Sequence, residues 1–426
     1  MMTTDIYSDN ARAVAAHVDS GRLLEAVQKL ASFGARDDGG VDRPALSERD
    51  LDARRYLIER AAALGCTVTT DHCANLFIRR PGTEPLAPVM TGSHADTQPS
   101  GGKLDGCYGV LAGLECIEAM NAAGIQTRRP LDVAIWTNEE GTRFQPGAMG
   151  SSAFVDPALM QRYLKVADAT GTTLAQALEQ HAQTFPALPT RSEAQPAHAF
   201  IELHIEQGPQ LENAALPLGI VSGIQGVRWY AVTCTGVAAH AGTTPMPVRR
   251  DAMTLAIDVR AQIDAFAREL GQDDTRVTFG RWSIAPNSIN TIPASVTFTV
   301  DFRHPDEAVL AAFDQQIAQC TQGTQCKQRG DITLEALFSH APVAFDSALL
   351  DRLGEAAATL EAPTMTLTSG AFHDAMYLAR HCPTAMLFVP SRDGISHNPL
   401  EHTDDDHLVL GTRALAHCLA TLCNEP

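Results

Sequence analysis

Apolar side chains recur at Leu46, Leu51, Tyr56, Leu57 and Ala61, the spacing of one helix face, and predict a helix within residues 43–64. Val89 and Met90 open a short apolar run that ends in Gly92-Ser93-His94-Ala95-Asp96. A second run, Leu131 to Thr137, ends in Asn138-Glu139-Glu140-Gly141. Between them, residues 109–124 read as a helix that follows an Asp-Gly turn and stops at Gly124. Strand and helix patterns thus alternate as in α/β domains, and ionisable residues collect where apolar strands end. In open α/β sheets that edge is where ligands bind.

From about residue 226 to 337 the pattern changes. Residues 227–236 predict a strand, 249–270 a long helix and 276–285 a second strand. Residues 295–304 place Val296, Phe298, Val300 and Phe302 on one strand face; a helix over 305–320 and a strand over 331–338 follow. The order β-α-β-β-α-β describes a two-layer, ferredoxin-like module. A strand at 384–390 and a helix at 405–422 then resume the first pattern. The expected fold is α/β: a catalytic domain with a mixed β-sheet flanked by helices, formed by residues 1–225 and 338–426. An α+β domain at 226–337 interrupts it.

Composition narrows the partners. A chain of 426 residues exceeds one ordinary core, and 45% hydrophobic with 19% charged residues describes a globular protein. Lys plus Arg number 32 against 50 for Asp plus Glu, a formal charge of −18, which argues against nucleic-acid or anionic-membrane partners. The ten cysteines include no Cys-x-x-Cys pair, the start carries no basic cluster before an apolar run, and no stretch approaches the roughly 20 apolar residues that span a bilayer. These features predict a soluble cytoplasmic protein with free thiols.

Four segments offer metal-binding chemistry. His94 and Asp105 flank a glycine-rich loop that can fold both to one point, and Asp96 shares the strand face of His94, where its carboxylate would orient the imidazole. Glu139 and Glu140 are adjacent, so in extended backbone they point opposite ways, leaving one to ligate and the other to face the reacting centre. His204 shares a strand face with Glu206, and His397 lies in a loop near the C-terminus. Singly these signals are weak, since an Asp-Gly pair is usually a turn and a lone histidine usually structural. Together, His94, Asp105, Glu140, His204 and His397 are one ligand too many for a tetrahedral zinc. They suit two metals sharing a carboxylate, with Asp105 as the bridge.

The segments Gly92-Ser93-His94-Ala95-Asp96-Thr97, Asp105-Gly106, Asn138-Glu139-Glu140-Gly141, Glu202-Leu203-His204-Ile205-Glu206-Gln207-Gly208, Ala239-His240-Ala241-Gly242 and Ser396-His397-Asn398-Pro399 occur in this order. In them the chain resembles the hydantoinase/carbamoylase-type amidases, a group of N-carbamoyl-L-amino-acid hydrolases, allantoate amidohydrolases and β-ureidopropionases within the metallo-aminoacylase and carboxypeptidase superfamily. The resemblance implies that His94, Asp105 and His204 hold one divalent ion and Asp105, Glu140 and His397 a second. Zinc is foremost, with manganese, cobalt and nickel also compatible. It further implies that Glu139 is the general base and that His240 stabilises the oxyanion, often from a partner subunit. Asn290 and Arg303 then bind the substrate carboxylate, while Gln207, Gly370 and Ala371 contact the substrate. The insert becomes a lid and dimerisation module, and the protein a homodimer.

The expected activity is hydrolysis of an N-carbamoyl-L-amino acid to amino acid, ammonia and carbon dioxide. Allantoate and N-carbamoyl-β-alanine are alternative substrates, and a catalytically inert ligand-binding homologue is the remote alternative. Without the resemblance, Arg303 reads as an ion pair with Asp301 or Asp306. One departure bears on the substrate: the family has Gly where this chain has Phe372, in Ser369-Gly370-Ala371-Phe372-His373-Asp374.

Overall fold

Six strands before residue 225 build most of one sheet: β1 Thr67–Thr70, β2 Leu76–Arg80, β3 Val89–His94, β4 Leu131–Trp136, β5 Ala199–Ile205 and β6 Leu218–Ile224. The computed structural model describes residues 2–191, 195–271, 274–322 and 330–425. The sheet order is β1-β2-β4-β3-β5, then the late strand Thr384–Val389, then β6. β4, β3, β5 and Thr384–Val389 run parallel; β1, β2 and β6 pair antiparallel to their neighbours. This is the mixed sheet the alternation predicted.

The four parallel strands are buried along their whole length. Burial on both faces explains the nearly continuous apolar runs of β4 and Thr384–Val389. The helix Cys107–Ala122 packs on β3 and on the terminal helix Asp405–Leu422. Nearly every residue of Cys107–Ala122 is buried, as expected of a helix apolar on all sides. The helix expected within 43–64 starts at Glu48, because the Ser47 side chain accepts the Asp50 N–H and caps it there.

Compact units meet at residues 222/223 and 344/345: Met1–Ser222 with Phe345–Pro426, and Gly223–Ala344. The second is wider than the 226–337 read from the pattern. Its long strand Asp331–His340 outruns the apolar alternation, and the short strand Val343–Ala344 then pairs with Gly223 and Ile224.

In this unit Trp282–Ala285, Ser295–His304, Gly226–Thr235 and Asp331–His340 form an antiparallel sheet in that order. With the helices Ala252–Gly271 and Glu307–Gln322 this is the ferredoxin-like arrangement. Val296, Phe298, Val300 and Phe302 share a buried cluster with Leu255, Val259 and Ile263. The Phe302 and Phe313 rings stack at 3.8 Å between centroids. The strand expected over 276–285 is instead two, Arg276–Thr278 and Trp282–Ala285, both paired to Ser295–His304. Thr278 faces Asp301 but Trp282 faces Phe298, so the register slips by one residue between them and the ladder breaks. Among the described residues no helix is long and apolar enough to cross a membrane.

Candidate metal centre

Because β3, β4 and β5 are parallel, their C-terminal ends bring three polar segments to one edge of the sheet. His94 ends β3, and His204 is the penultimate residue of β5. Glu139 and Glu140 follow β4 through a turn in which Asn138 adopts φ 58°. Asp105 precedes the helix Cys107–Ala122, and His397, at φ 54°, comes from the loop after Thr384–Val389.

Asp105 is the hub of this edge. Its Oδ1 lies 3.2 Å from His204 Nε2 and 3.7 Å from His94 Nε2, while its Oδ2 lies 3.1 Å from His397 Nε2. His397 Nε2 is also 3.6 Å from Glu140 Oε2. The five residues thus form two donor sets, His94/Asp105/His204 and Asp105/Glu140/His397, each with its ligand atoms within 4.8 Å of one another. Nδ1 of His94 and of His204 meets a backbone carbonyl, Asp96 O and Ile205 O respectively, each at 2.9 Å. A carbonyl only accepts, so Nδ1 carries the proton and Nε2 turns toward Asp105. Gly106, at φ 64°, passes so close to the His94 ring that any Cβ would run into it.

The structure corrects the role expected for the Asp96 carboxylate. It lies 3.8 Å from His94 Nδ1 and instead accepts the backbone N–H groups of Glu139 and Glu140, each at 3.2 Å. The chain turns after β3, so the Asp96 carbonyl meets the imidazole and its side chain braces the Glu-Glu turn. Gln98 holds the Glu140 carboxylate with its side-chain N–H at 2.6 Å and its backbone N–H at 3.1 Å. Glu139 is left with Oε2 3.5 Å from His94 Nε2. Glu206, which shares His204's strand face, points elsewhere and caps the N–H groups of Gln210 and Leu211.

Burial, together with Asp374 and Glu140, pushes the Glu139 carboxyl well above the usual range. Burial and Asp105 push Glu140 up to about 8. At His204, burial is outweighed by the hydrogen bond and charge of Asp105, which raise it to about 9. His397 is raised to about 9, chiefly by its hydrogen bond to Asp105. Carboxylates crowded against imidazoles in a buried pocket attract cations, and the mixed nitrogen and oxygen donors fit borderline divalent metals.

The model of peptidase family M20/M25/M40 matches residues 90–421. The chain belongs to this family. It is 35% identical over 404 residues to an N-carbamoyl-L-amino-acid amidohydrolase of Rhizobium meliloti, covering 94% of this chain and 96% of that one. It is 36% identical over 401 residues to the allantoate amidohydrolase of Escherichia coli K12, covering 94% and 97%. The crystal structure of a hydantoinase/carbamoylase family amidase from Burkholderia multivorans superimposes with TM-score 0.88 at 42% identity, over 96% of this chain and 98% of that one. This M20-family chain is accordingly a hydrolase of C–N bonds, of the hydantoinase/carbamoylase type, from a metal-dependent family.

Other expected residues of the M20-family chain are placed as follows. Gln207 donates to Asp105 Oδ2 at 2.9 Å and to Ser396 Oγ at 3.1 Å, while its buried Oε1 meets no hydrogen-bond donor. Gly370 is exposed and Ala371 half-buried; the Ala371 N–H donates to Ser369 Oγ at 3.1 Å. Phe372 is half-buried and edge-on to Tyr377, with ring centroids 6.0 Å apart. His240, Asn290 and Arg303 belong to the second unit. There His240 Nδ1 accepts the N–H groups of Gly242 and Thr243, which leaves the proton on Nε2, and the Asn290 carbonyl accepts the Ala241 N–H beside it. Arg303 makes a two-pronged ion pair with Asp301, Nε to Oδ1 at 3.0 Å and Nη2 to Oδ2 at 2.8 Å. The pairing read without the resemblance is therefore present.

Several residues beside the site were not expected. Glu202 accepts the Ser93 hydroxyl at 2.6 Å and the Ala375 N–H at 2.9 Å. The His373 ring stands edge-on to His204 at 4.6 Å, and Glu202, His204 and His373 form a third close group. Glu202 and His204 share strand parity, which was the available signal. Arg43, fully buried, donates to Ala95 O at 2.7 Å and to Cys107 Sγ at 2.9 Å, tying the His94 loop to the helix after Asp105. Cys107 is thus a packed helix-start residue.

Proposed function

We propose that this chain hydrolyses the carbamoyl C–N bond of N-carbamoyl-L-amino acids, consuming one water and releasing the amino acid, ammonia and carbon dioxide. The observation that carries the reading is the division of Asp105, one oxygen toward His94 and His204 and the other toward His397, with Glu139 beside them. That arrangement suits two divalent ions, zinc foremost, held by His94/Asp105/His204 and Asp105/Glu140/His397. Ions bound there would supply Lewis acidity to water and to the ureido carbonyl.

Glu139 takes the proton of the attacking water and returns it to the leaving nitrogen. Asp96 holds the turn that aims Glu139. Gln207 offers its unpaired Oε1 to a substrate N–H. We assign the substrate carboxylate to Arg303 and Asn290, the oxyanion to the Nε2–H of His240, and backbone contacts to Gly370 and Ala371. The insert serves in this reading as lid and homodimer contact.

The second reading is allantoate, favoured by the Escherichia coli relative, 36% identical against 35% for the Rhizobium meliloti carbamoylase. Incubation of the metal-loaded chain with N-carbamoyl-L-amino acids, allantoate and N-carbamoyl-β-alanine, with ammonia detection, tests both. The highest kcat/KM is expected for an N-carbamoyl-L-amino acid. Higher turnover of allantoate replaces the first reading by the second, and no ammonia from any ureido acid defeats both.

A further inference from the structure

Glu401 is 3% exposed, and among the described residues no Lys, Arg or His pairs with it within 4.0 Å. Its Oε1 accepts the backbone N–H groups of Leu104 at 2.9 Å and Asp105 at 3.1 Å. Its Oε2 accepts the Ser396 hydroxyl at 2.8 Å, and Ser396 Oγ lies 3.3 Å from Asp105 Oδ2. Gly102 closes the cradle, since a Cβ there would overlap the Glu401 carboxylate. A buried carboxylate without a cation is costly, and three donors hold this one in place, two from the remote Asp105 loop and one from Ser396 on its own loop.

The loops it joins carry Asp105 and His397. His94 and His204 stand on fully buried strands, so their positions are set by the sheet. His397 stands on a loop, with half of its side-chain surface exposed and φ at 54°. Nothing so rigid as a strand fixes its distance from Asp105; the path through Ser396 and Glu401 does.

We propose that Glu401 is a positioning residue that sets His397 against Asp105 in the Asp105/Glu140/His397 donor set, while the sheet fixes His94 and His204 of the other set. It rests on the two-ion reading above. Loss of the clamp therefore loosens chiefly the His397-dependent ion, because the strands still hold His94 and His204 for the other. The acceptor oxygen matters here, so the amide of Gln, which keeps an oxygen for the Leu104 and Asp105 N–H groups, substitutes for it.

The test is stepwise cobalt(II) or zinc uptake by the chelator-stripped full chain, followed by competition with a chromophoric chelator. His397→Ala and His204→Ala identify which step belongs to which set. Glu401→Ala should weaken the His397-dependent step about 10- to 100-fold and leave the His204-dependent step within about threefold, and Glu401→Gln should restore it to within about threefold. Ser396→Ala, a smaller change that keeps the Glu401 bonds to backbone, should weaken the same step by a smaller factor. Two wild-type steps in Glu401→Ala, equal weakening of both, or a Glu401→Gln as impaired as the alanine variant would overturn the clamp. A wild-type chain that takes up fewer than two ions would overturn the two-ion reading, and the clamp with it.

Discussion

His94 is oriented by the backbone of Asp96 and not by its carboxylate: Nδ1 lies 2.9 Å from the carbonyl oxygen and 3.8 Å from Oδ1. The carboxylate is spent on the N–H groups of Glu139 and Glu140. Asp96→Asn should therefore leave His94 in place and disturb Glu139. An amide keeps one acceptor but sets a donor against the second N–H. The expected result is a kcat lowered about 10- to 100-fold with the His94/Asp105/His204 ion retained. Metal content measured beside kcat checks this, and an ion lost from that set would return the imidazole-orienting role to the carboxylate.

Glu139 lies outside both donor sets, and it sits 3.5 Å from His94 Nε2. Glu139→Gln should preserve metal uptake and lower kcat by at least ~10²-fold, the usual loss when a general base is removed. Turnover near wild type in a fully loaded variant would move the proton transfer to another group.

Chain-local pattern exposed much of this site because its ligands end apolar runs. His94, Glu139, Glu140 and His204 follow or close strands buried on both faces, so a charged residue there marks the sheet edge. Glu401 left no such mark: its partners Leu104 and Asp105 lie almost 300 positions away and offer only backbone N–H groups, which every residue carries. Asp374, fully buried near Ser151 and Glu202, was equally silent. In the insert, Val277 and Phe279 have one strand parity and Trp282 and Ile284 the other. That switch is the register slip, and an apolar tally over 276–285 passes over it.

The turn at Gly106 has little tolerance. With φ 64° and ψ −47° the residue lies outside the wells an alanine occupies without strain, and a Cβ would displace the His94 ring. Gly106→Ala should lower the thermal midpoint and weaken the ion of the His94/Asp105/His204 set at least tenfold. Thermal melts with and without metal separate the two effects. A midpoint shift with unchanged metal affinity would show that His94 can move aside without losing its ligand geometry.

Acid stability should depend on His181, which lies far from any expected ligand in sequence. It is 3% exposed in the helix Leu174–Thr184, its ring 5.1 Å from Phe185, and its Nε2 has no hydrogen-bond partner among the described residues. Burial, with Arg54 adding to it, lowers its pKa to about 3. An unfolded histidine titrates near 6.5. Between those values the unfolded chain binds a proton that the folded chain refuses, so stability is full above about pH 6.5 and falls as pH drops toward 3. At ~1.4 kcal/mol per pH unit, the loss from pH 7 to pH 5 attributable to this residue is about 2 kcal/mol. His181→Leu fills a similar volume and removes the titration. Its first unit should lose about 2 kcal/mol less than wild type over that interval in urea unfolding followed at both pH values. An equal loss in the two proteins would mean that water reaches His181 before the helix unfolds.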